Sequence, residues 1–433
     1  MNNVTVKKIV IKRKDGVNFS RLSGDNNSIH LIKSIGYLSQ FGENIVHGSL
    51  ILIKILKKIK IKNFFSINVN FLSFIKYDLV CEIVLSKRSN KKNIYKIYQE
   101  EELKIILEIS NENNDEITDL KKITFEKKIK ISNTKRKLFN DTSMDSNLKL
   151  ILSELSKYVG VVYPGKNSLI NRIKIIKKKN FSLNNLIFFK SNRLDKRFNL
   201  IENSLSFNEF FIDFKTSIRP VLRVKLKKTN NKIIKEIKAI KNNILIIGGS
   251  SGIGNDLLKL FVYNNKIKII STYNKNSIVV KKKNVKNVKV NITKNTKKIF
   301  RIIKKYKPLN VYYFATPMIN TTLKSKTVYN LYFNYYVKIP IKILKYCINQ
   351  KNNFFYPSTV FIDYKNDSHY SYIKNLFEKK VKSLRNINNK INIVKIPRIN
   401  TKHNLNILNE KLPNFRDIIF KNKEIRKKTF FNY

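Results

Sequence analysis

A segment near the start of the chain contains residue types that could add or remove water. Asp25, Asn27 and His30 lie close together in sequence, and His47-Gly48 follows them. An acid and a histidine held in a cleft can position a water molecule at a double bond and act by general acid–base catalysis. Gly48, at a predicted helix start, offers a backbone N–H that could polarise a thioester carbonyl. From these residue types alone, a turn capped by Asp25 with an unrelated histidine is the alternative.

A second group of residues, late in the chain, has the pattern of a proton-transfer site for an alcohol. Tyr370 and Lys374 are four positions apart, which places them on one face of a helix. An ammonium group beside a phenol favours the phenolate and lowers the pKa of the phenol. Ser358, at a predicted strand end, could hydrogen-bond the substrate oxygen, with Thr359 as the alternative. Because Tyr-x-x-x-Lys pairs also occur on solvated helices, the meaning of this pair depends on the segments around it.

The segment Ile244–Gly254 predicts a phosphate-binding turn. Its apolar run, Ile244–Ile247, is followed by the pattern Gly-x-x-x-Gly-x-Gly. A strand, a tight turn and a helix start of this kind direct backbone N–H groups and the helix dipole at a phosphate. Glycine is needed because a Cβ would block the turn or hold a pyrophosphate away from the backbone. The turn residues assigned to this role are Gly248, Ser250, Ser251, Gly252, Ile253 and Gly254.

Together these C-terminal motifs resemble the short-chain dehydrogenase/reductase family. The glycine turn matches the family's turn, and Ser358, Tyr370 and Lys374 match its catalytic Ser and Tyr-x-x-x-Lys. Asn334, in an intervening helix, matches the family's helix asparagine. The resemblance implies a Rossmann fold in which Tyr370 exchanges a proton with the substrate oxygen. It further implies that Lys374 holds the cofactor ribose and that Asn334 supports a proton relay.

The resemblance also assigns residues at the cofactor, with departures from the family pattern. Pro397 and Thr401 correspond to the family's Pro-Gly…Thr segment at the nicotinamide end, although Arg398 replaces the glycine. Ala315 lies in Tyr-Phe-Ala-Thr where the family has Asn-Asn-Ala-Gly, and Asn291 replaces the acid usual after the third strand. These departures affect the expected cofactor affinity and the segment expected to cover the substrate more than they affect the proton-transfer residues.

The end of the second predicted strand of this region bears on the choice of cofactor. An acid there would bind the free ribose of NAD, but the sequence is Ser271-Thr-Tyr-Asn274-Lys275. Lys275 could instead meet a 2′-phosphate. We therefore expect NADP(H) to be preferred, with NAD(H) possible.

The N-terminal residues resemble the hotdog-fold hydratases of the MaoC or (R)-specific enoyl-CoA hydratase type. Asp25, Asn27 and His30 match the family motif Asp-x-Asn-Pro-x-His, with Ser28 in place of proline. His47-Gly48 matches the family's His-Gly at the central helix, and residues 71–78 resemble its Phe-x-x-Pro-Val-x-x-Gly-Asp strand segment. The resemblance implies that Asp25 and His30 activate water, that Asn27 orients them, and that Gly48 polarises the thioester. It assigns Asn27, His47 and Gly48 to substrate binding.

Residues 148–175 are similar to the helix and following turn of the same fold, without a second Asp-x-x-x-x-His. We expect a second, non-catalytic hotdog that completes a double hotdog and shapes the acyl pocket. An unrelated connecting domain is the alternative.

Hydrophobic periodicity predicts an α+β part followed by an α/β part with a doubly wound parallel sheet. The predicted domains are residues 1–122, 123–236 and 237–433, with a lysine-rich linker near 227–241. Helices are predicted at 45–56 and 148–159, and strands at 64–74, 79–85, 94–98, 103–109, 168–176, 183–190 and 206–215. The C-terminal strands are predicted at 244–247, 267–272, 288–290, 311–314, 354–357 and 391–396.

The composition is strongly basic, with 88 Lys and Arg against 29 acids and a net charge of +59. The excess is spread along a chain poor in Ala and lacking Trp, as an AT-rich coding sequence would produce, but it would also attract CoA or an acidic carrier. No basic motif interleaved with aromatic residues is evident, so nucleic acid is not expected as a partner. Two distant cysteines, no metal-ligand cluster and no apolar leader predict a cytoplasmic protein without metal or membrane span.

These features predict a bifunctional enzyme of 3-hydroxyacyl thioester metabolism. A hydratase interconverts 2-enoyl and 3-hydroxyacyl thioesters, and a reductase interconverts 3-hydroxyacyl and 3-oxoacyl thioesters. The expected partners are acyl-CoA or acyl carrier protein thioesters, and the expected assembly is a homodimer or higher homo-oligomer. In the alternative, only the reductase is active, on a sugar nucleotide, polyketide or other carbonyl, and the hotdog part is a docking domain. A third possibility, suggested by the net charge of +59, is an anion- or nucleic-acid-binding protein built on a degenerate enzyme.

Overall fold

The structure, a computed structural model, describes residues 6–39, 41, 43–61, 63–112, 120, 123–132, 144–178, 185–195, 199–219, 231–275, 280, 282–317, 326–363, 368–384, 391–401, 404 and 412–431. These residues form two compact units. One contains the described residues up to 219, and the other contains those from 231 onward.

The described residues of the N-terminal unit form ten strands and a set of helices. Its strands are β1 (Val6–Val10), β2 (Ser66–Phe71), β3 (Val80–Arg88), β4 (Lys92–Gln99), β5 (Glu102–Ser110), β6 (Phe125–Lys130), β7 (Ser168–Lys177), β8 (Leu186–Asp195), β9 (Leu200–Phe207) and β10 (Phe210–Ile218). Its helices are α1 (Arg13–Ser23), α2 (Ser28–Leu31), α3 (Lys33–Leu38), α4 (Gly48–Ile59) and α5 (Ser146–Lys157), and a π-helical turn, Tyr158–Val162, extends α5.

All ten strands join one sheet in the order β1-β3-β4-β5-β2-β7-β10-β9-β8-β6. Every strand pair described is antiparallel, and β2 pairs with β7 at the centre. Read from either edge, each half has the order first, third, fourth, fifth, second strand, and a twelve-residue helix, α4 or α5, precedes the second strand of each half. The strand order of the first half is therefore repeated in the second half.

The two central helices supply much of the core of this unit. In α4 and α5, apolar residues occupy nearly every turn, and most are fully buried against the sheet. Burying a large aliphatic side chain stabilises the fold by about 1.5–3 kcal/mol. The two helices therefore fix the position of the residues at their ends, which include the candidate site.

One sequence-based prediction in this unit is wrong, and one helix was not predicted. The strand expected at 206–215 is two strands, β9 and β10, because Asn208 and Glu209 make a hairpin turn with Asn208 at φ 47°. Asparagine tolerates this left-handed conformation better than most residues. The helix Arg13–Ser23 was not predicted, since its mean hydropathy is low and only one stripe of it is buried.

The C-terminal unit is built on six parallel strands with helices between them. Its strands are β11 (Ile244–Ile247), β12 (Ile269–Tyr273), β13 (Val285–Lys289), β14 (Asn310–Tyr313), β15 (Asn353–Thr359) and β16 (Ile391–Ile396). Its helices are α6 (Asn231–Lys238), α7 (Gly252–Phe261), α8 (Lys297–Tyr306), α9 (Lys326–Phe333), α10 (Ile339–Asn349), α11 (His369–Lys382), α12 (Phe415–Lys421) and α13 (Lys423–Phe430), and a π-helical turn, Asn334–Lys338, joins α9 to α10. The linker predicted at 227–241 contains α6, and residues 227–230 lie outside the described residues.

The strand order is β13-β12-β11-β14-β15-β16, with every described pair parallel. Successive residues of β11 enter different cores, Ile244 and Ile246 on one face and Leu245 and Ile247 on the other. This alternation follows from the two-residue period of a strand. The sheet is covered on both faces, as predicted for a doubly wound fold. Among the described helices, none is long and apolar enough to cross a membrane.

Candidate active sites

The N-terminal site begins at a chain reversal after α1. Gly24 ends this helix with φ +81°, a left-handed conformation that glycine adopts without steric cost. Asn27 then caps the short helix α2, since its side chain accepts a hydrogen bond from the N–H of Ile29 at 3.4 Å. Ser28 is the first residue of α2, a position where proline is favoured because its missing N–H needs no partner. Serine can therefore replace proline here with the turn retained.

Asp25 is buried and accepts two hydrogen bonds, one from a neighbouring residue in the chain and one from a residue far away in sequence. Its Oδ1 accepts from the backbone N–H of Asn27 at 3.1 Å, and its Oδ2 accepts from the hydroxyl of Ser156 at 2.6 Å. Gly160 lies so close that a Cβ built on it would be 2.2 Å from Oδ1. The carboxylate is thus positioned by its own turn and by the end of α5.

His30 is arranged as a neutral base. Its Nδ1 lies 2.9 Å from the carbonyl of Ile45, which can only accept a hydrogen bond, so Nδ1 carries the proton and Nε2 has a free lone pair. Burial lowers the pKa of His30, and the neighbouring Asp25 opposes this effect without overcoming it. A histidine that stays neutral below its ordinary pKa can accept a proton from water near neutral pH.

His47 packs behind His30. The two imidazole rings are stacked with centroids 3.9 Å apart, and His47 is fully buried. Burial and the neighbouring His30 hold the pKa of His47 well below its ordinary value. Its Nδ1 lies 3.4 Å from the Tyr77 hydroxyl, and its Nε2 has no hydrogen-bond partner among the described residues. This placement makes His47 a support for His30, whereas the sequence assigned it to substrate binding.

Ligand atoms of Asp25, His30 and His47 lie within 4.8 Å of one another, a cluster that the sequence analysis did not foresee. The donor set has the chemistry of a zinc site. Imidazole lone pairs, however, lie in the ring planes, and these planes are stacked at 27° to each other. Both oxygens of Asp25 already accept hydrogen bonds. The arrangement suits proton transfer better than tetrahedral coordination of one ion.

A cavity of about 330 Å³ opens onto these residues. Asp25, Asn27, His30 and Gly48 line it, together with apolar side chains and with Ser156 and Gly160. His47 is not part of its wall. Gly48 is the first residue of α4, so the N-terminal end of this twelve-residue helix faces the cavity. The partial positive charge of a helix N-terminus favours an oxygen that gains negative charge.

Several residues of the second half also line this cavity, and the sequence analysis gave three of its polar or small ones no role. These three are Ser156, Gly160 and Arg219. Ser156 and Gly160 lie in the segment that resembles the hotdog helix and turn, which was the available signal for them. Nothing local marks Arg219, because the residues it meets in the cavity are far away in sequence.

The C-terminal site begins with the glycine turn after β11. Gly248 has φ +89°, and a Cβ there would be 2.7 Å from the backbone of Phe314 and Ala315. A Cβ on Gly254 would be 2.4 Å from the carbonyl oxygen of Gly248. Both positions therefore require glycine. Gly252 has φ +57° and lies near Thr401, since a Cβ on this glycine would be 3.7 Å from the Thr401 methyl group.

The other residues assigned to the cofactor lie at the same edge of the sheet. Ser250, Ser251 and Ile253 belong to the turn and the start of α7. The remaining ones follow the carboxyl ends of β12, β13, β14 and β16: Asn274, Lys275, Asn291, Ala315 and Pro397. In parallel sheets, ligands bind outside this edge. Lys275 is exposed there, whereas the Asn291 side chain accepts hydrogen bonds within its own turn, from Thr293 and Lys294.

Tyr370 and Lys374 lie on the buried face of α11, as their spacing predicts. The ammonium group of Lys374 donates to the carbonyl of Pro357 at 2.5 Å and lies over the rings of Tyr336 and Tyr356, 4.5 and 4.2 Å from their centroids. Burial lowers the pKa of Lys374 to about 7, although nearby Glu378 opposes this.

The expectation that Lys374 lowers the pKa of Tyr370 does not hold in this structure. Burial, with a smaller effect from Tyr332, raises the pKa of Tyr370, and only a hydrogen bond with Thr359 opposes it. The lysine Nζ is 5.9 Å from the phenol ring centroid. Burial is therefore the dominant influence on the pKa of the Tyr370 phenol in this structure.

The structure also separates the two candidate hydroxyls at the end of β15. Ser358 donates a short hydrogen bond to a carboxylate oxygen of Glu378, whereas Thr359 is the hydroxyl bonded to Tyr370. Both hydroxyls therefore reach α11, but at different positions along it, Ser358 at Glu378 and Thr359 at Tyr370. Asn334 begins the π-helical turn whose Tyr336 ring is 5.4 Å from the Tyr370 ring. Glu378 had no role in the sequence analysis, although it lies one turn after Lys374 on the same face.

No protein-family model and no curated protein matches the chain. Among solved structures, a short-chain dehydrogenase from Leptospira borgpetersenii with bound NAD+ is similar over 48% of this chain and 90% of its own, with 15% identity and a TM-score of 0.36. A short-chain dehydrogenase family protein from Francisella tularensis is similar over 34% of this chain, with 20% identity and a TM-score of 0.30. The present chain spans 63% of that protein, just under two thirds.

A putative MaoC domain protein dehydratase from Chloroflexus aurantiacus is similar over 49% of this chain and 93% of its own, with 9% identity and a TM-score of 0.33. Each of these likenesses covers only part of the chain.

Proposed function

We propose that the chain is a bifunctional enzyme of 3-hydroxyacyl thioester metabolism. Its N-terminal unit hydrates 2-enoyl thioesters or dehydrates 3-hydroxyacyl thioesters. Its C-terminal unit interconverts 3-hydroxyacyl and 3-oxoacyl thioesters with NAD(P)(H). The observation that carries the proposal is the pairing of Asp25 with a neutral His30 on the wall of one cavity.

In the hydration step, Asp25 and His30 hold a water molecule beside C3 of the enoyl group. Nε2 of His30 accepts a proton from this water as its oxygen bonds to C3 and then delivers that proton to C2, so the double bond gains one water and His30 is again neutral. Asn27 orients Asp25 through its N–H, and the N-terminal end of α4 at Gly48 polarises the thioester oxygen. Dehydration follows the same path in reverse, with the departing hydroxyl protonated by His30.

The duplicated five-strand order supports a double hotdog, with the catalytic residues in the first copy. In this interpretation, the second copy closes the acyl pocket. Because Ser156 bonds to Asp25, the second copy also holds the catalytic carboxylate.

The C-terminal unit fits a dinucleotide cofactor. The backbone around Gly248 and Gly254 is packed so closely that neither position has room for a Cβ. Without side chains at these positions, a pyrophosphate can approach the backbone of the turn closely. The residues that would hold the cofactor are this turn, the strand ends beyond it, Thr401 and Lys374. A bound nicotinamide would supply or accept the hydride. Exposed Lys275 supports the preference for NADP(H).

In that unit, Tyr370 exchanges a proton with the 3-oxygen of the substrate. Thr359 hydrogen-bonds Tyr370 and stabilises its ionised form, in keeping with the direction of its effect on the pKa. Asn334 stands at the π-helical turn next to this phenol and supports the proton relay. Ser358 orders Glu378, which in turn favours the charged form of Lys374.

The two chemistries share a 3-hydroxyacyl thioester, which one site would release and the other accept. The carrier is CoA or an acyl carrier protein, and the net charge of +59 would attract either. Homodimers or higher homo-oligomers remain the expected assembly.

The test uses the full chain with crotonyl-CoA and either NADP+ or NAD+. The ultraviolet absorbance of the enoyl thioester reports hydration, and the near-ultraviolet band of the reduced cofactor reports oxidation. We expect both signals to change, Asp25→Asn to stop both from crotonyl-CoA, and Tyr370→Phe to stop only cofactor reduction.

The variants separate the two halves of the proposal. In one outcome, crotonyl-CoA is hydrated but no cofactor is reduced, and none is reduced when 3-hydroxybutyryl-CoA is supplied directly. The C-terminal unit would then act on a substrate other than a 3-hydroxyacyl thioester. Carbonyl reduction without any hydration, with CoA and carrier-protein substrates, would select the alternative in which the N-terminal unit only docks a partner.

A further inference from the structure

Arg219 is a buried cation at the wall of the N-terminal cavity that the hydration chemistry does not use. Only 6% of the residue is exposed. Arg219 directly follows β10 and lies two positions after Ser217, which lines the same cavity. Two positions apart along an extended chain, these residues face the same side.

The guanidinium of Arg219 has no hydrogen-bond or carboxylate partner among the described residues. Its Nε is buried without an acceptor, and its backbone N–H alone is bonded, to the carbonyl of Asn167 at 2.7 Å. Burial with no compensating anion lowers its pKa to about 10. Buried charges in proteins are normally paired, so an arginine left unpaired in a cavity indicates that its partner arrives with the ligand.

The position of Arg219 limits which part of a thioester could pair with it. It lies close enough to His30 for its charge to disfavour protonation of that imidazole. In a CoA or carrier-protein thioester, the phosphates are separated from the acyl carbonyl by the whole pantetheine arm. A group bound at Arg219 while C3 lies at His30 is therefore a short distance from the reacting carbon, on the acyl side.

We propose that this cavity accepts acyl thioesters that end in a carboxylate, and that Arg219 binds this carboxylate. The inference rests on the proposed hydratase site but concerns substrate class. A guanidinium binds a carboxylate with two parallel hydrogen bonds, which gives direction as well as charge. The cavity would thus favour short dicarboxylic enoyl and hydroxyacyl groups over simple fatty acyl groups.

The experiment measures binding of two unreactive thioesters of N-acetylcysteamine to the full chain by calorimetry. Succinyl and butyryl thioesters differ only in a terminal carboxylate in place of a methyl group, and neither carries a phosphate. We expect the succinyl compound to bind about 10-fold to 100-fold more tightly, as one charge-assisted pair contributes. Arg219→Met should remove this preference, and Arg219→Lys should retain part of it.

Arg193→Met is the matched control, because Arg193 lies in β8 of the same sheet with an exposed hydrogen bond to Asn199. It should keep the preference, which separates Arg219 from the general attraction of a basic protein for anions. Equal affinity of the wild-type protein for the two thioesters would overturn the proposal, even if Arg219→Met failed to fold. A second result would also overturn the proposal: Arg219→Met loses affinity for butyryl-CoA, which carries phosphates, but not for the succinyl thioester, which carries none. Arg219 would then bind a phosphate and not a carboxylate.

The binding readout does not depend on turnover. If the succinyl preference is present and no enoyl thioester is hydrated, the proposed function fails and the carboxylate site stands. If crotonyl-CoA is hydrated and no preference is seen, only the carboxylate site fails.

Discussion

The hydroxyl of Ser156 donates a 2.6 Å hydrogen bond to Asp25 from a position 131 residues later in the chain. Ser156 belongs to α5, the helix of the second five-strand half, and Asp25 belongs to the first. The candidate hydratase site is therefore shared by the two halves. The half without its own Asp-x-x-x-x-His positions the acid of the other.

Ser156→Ala is expected to lower the kcat of hydration about 10-fold, because one of the two donors that position the Asp25 carboxylate is lost. Steady-state hydration of crotonyl-CoA measures this effect. Ser153→Ala is the control, since Ser153 is buried in the same helix but donates to the Lys149 carbonyl. If the two variants lose activity equally, Ser156 has only a structural role.

Gly160→Ala is expected to abolish most hydration, because its Cβ would lie 2.2 Å from Oδ1 of Asp25 and force the carboxylate to move. The oxidoreductase activity of the same protein should be unchanged. Val161→Ala, at the exposed neighbouring residue, should affect neither activity. If Gly160→Ala hydrates at the wild-type rate, the reaction does not depend on the position that the Asp25 carboxylate has in this structure.

The acidic limb of the pH profile of hydration should have its midpoint below pH 6.5. Burial lowers the pKa of His30 below its ordinary value of 6.5, so the imidazole stays neutral and able to accept a proton at lower pH than an ordinary histidine. The measurement is kcat/KM from about pH 4.5 to 8, a range that spans the ordinary titration of histidine. An acidic limb with its midpoint above 6.5 would mean that Asp25 dominates the environment of His30.

Thr359→Val is expected to reduce carbonyl reduction more than Ser358→Ala, since Thr359 bonds to Tyr370 and Ser358 bonds to Glu378. Thr359 lowers the pKa of the phenol, so its loss should also move the pH profile of 3-hydroxybutyryl-CoA oxidation to higher pH. A larger loss in Ser358→Ala, with no shift in Thr359→Val, would restore Ser358 to the role assigned from the sequence.

Lys374→Met is expected to stabilise the C-terminal unit at pH 6 while abolishing its activity. The folded pKa of Lys374 is about 7, below its ordinary value of 10.5, so folding disfavours the charged form. This penalty is complete below pH 7 and declines as the pH rises toward 10.5, because the folded protein then releases the proton that the unfolded chain still holds.

Thermal unfolding at pH 6 and pH 9 tests this prediction. The gain in Tm should be larger at pH 6, and exposed Lys380→Met should show no such dependence. A gain that is equal at both pH values would mean that Lys374 is not desolvated.

Much of the C-terminal unit could be predicted because its signals are local. The strands at 244–247 and 391–396 have the predicted bounds, since each is a short apolar run that ends at a turn or polar segment. The spacing of Tyr370 and Lys374 places them on one helix face in any context. In the N-terminal unit, the same local logic gave the helices α4 and α5 but missed α1, whose polar sequence folds as a helix only against its neighbours.

The sequence by itself determined the chemistry-bearing segments: the Asp25–His30 turn, the glycine turn after β11 and the Tyr-x-x-x-Lys helix. These depend on backbone conformations and side-chain spacings within a few residues. Only the tertiary structure decided which groups meet them. Ser156, Gly160 and Arg219 reach the cavity because β2 pairs with β7 and brings the two halves together. Thr359 meets Tyr370 while Ser358 meets Glu378, two turns further along α11, because the packing of β15 against this helix decides which hydroxyl meets which side chain.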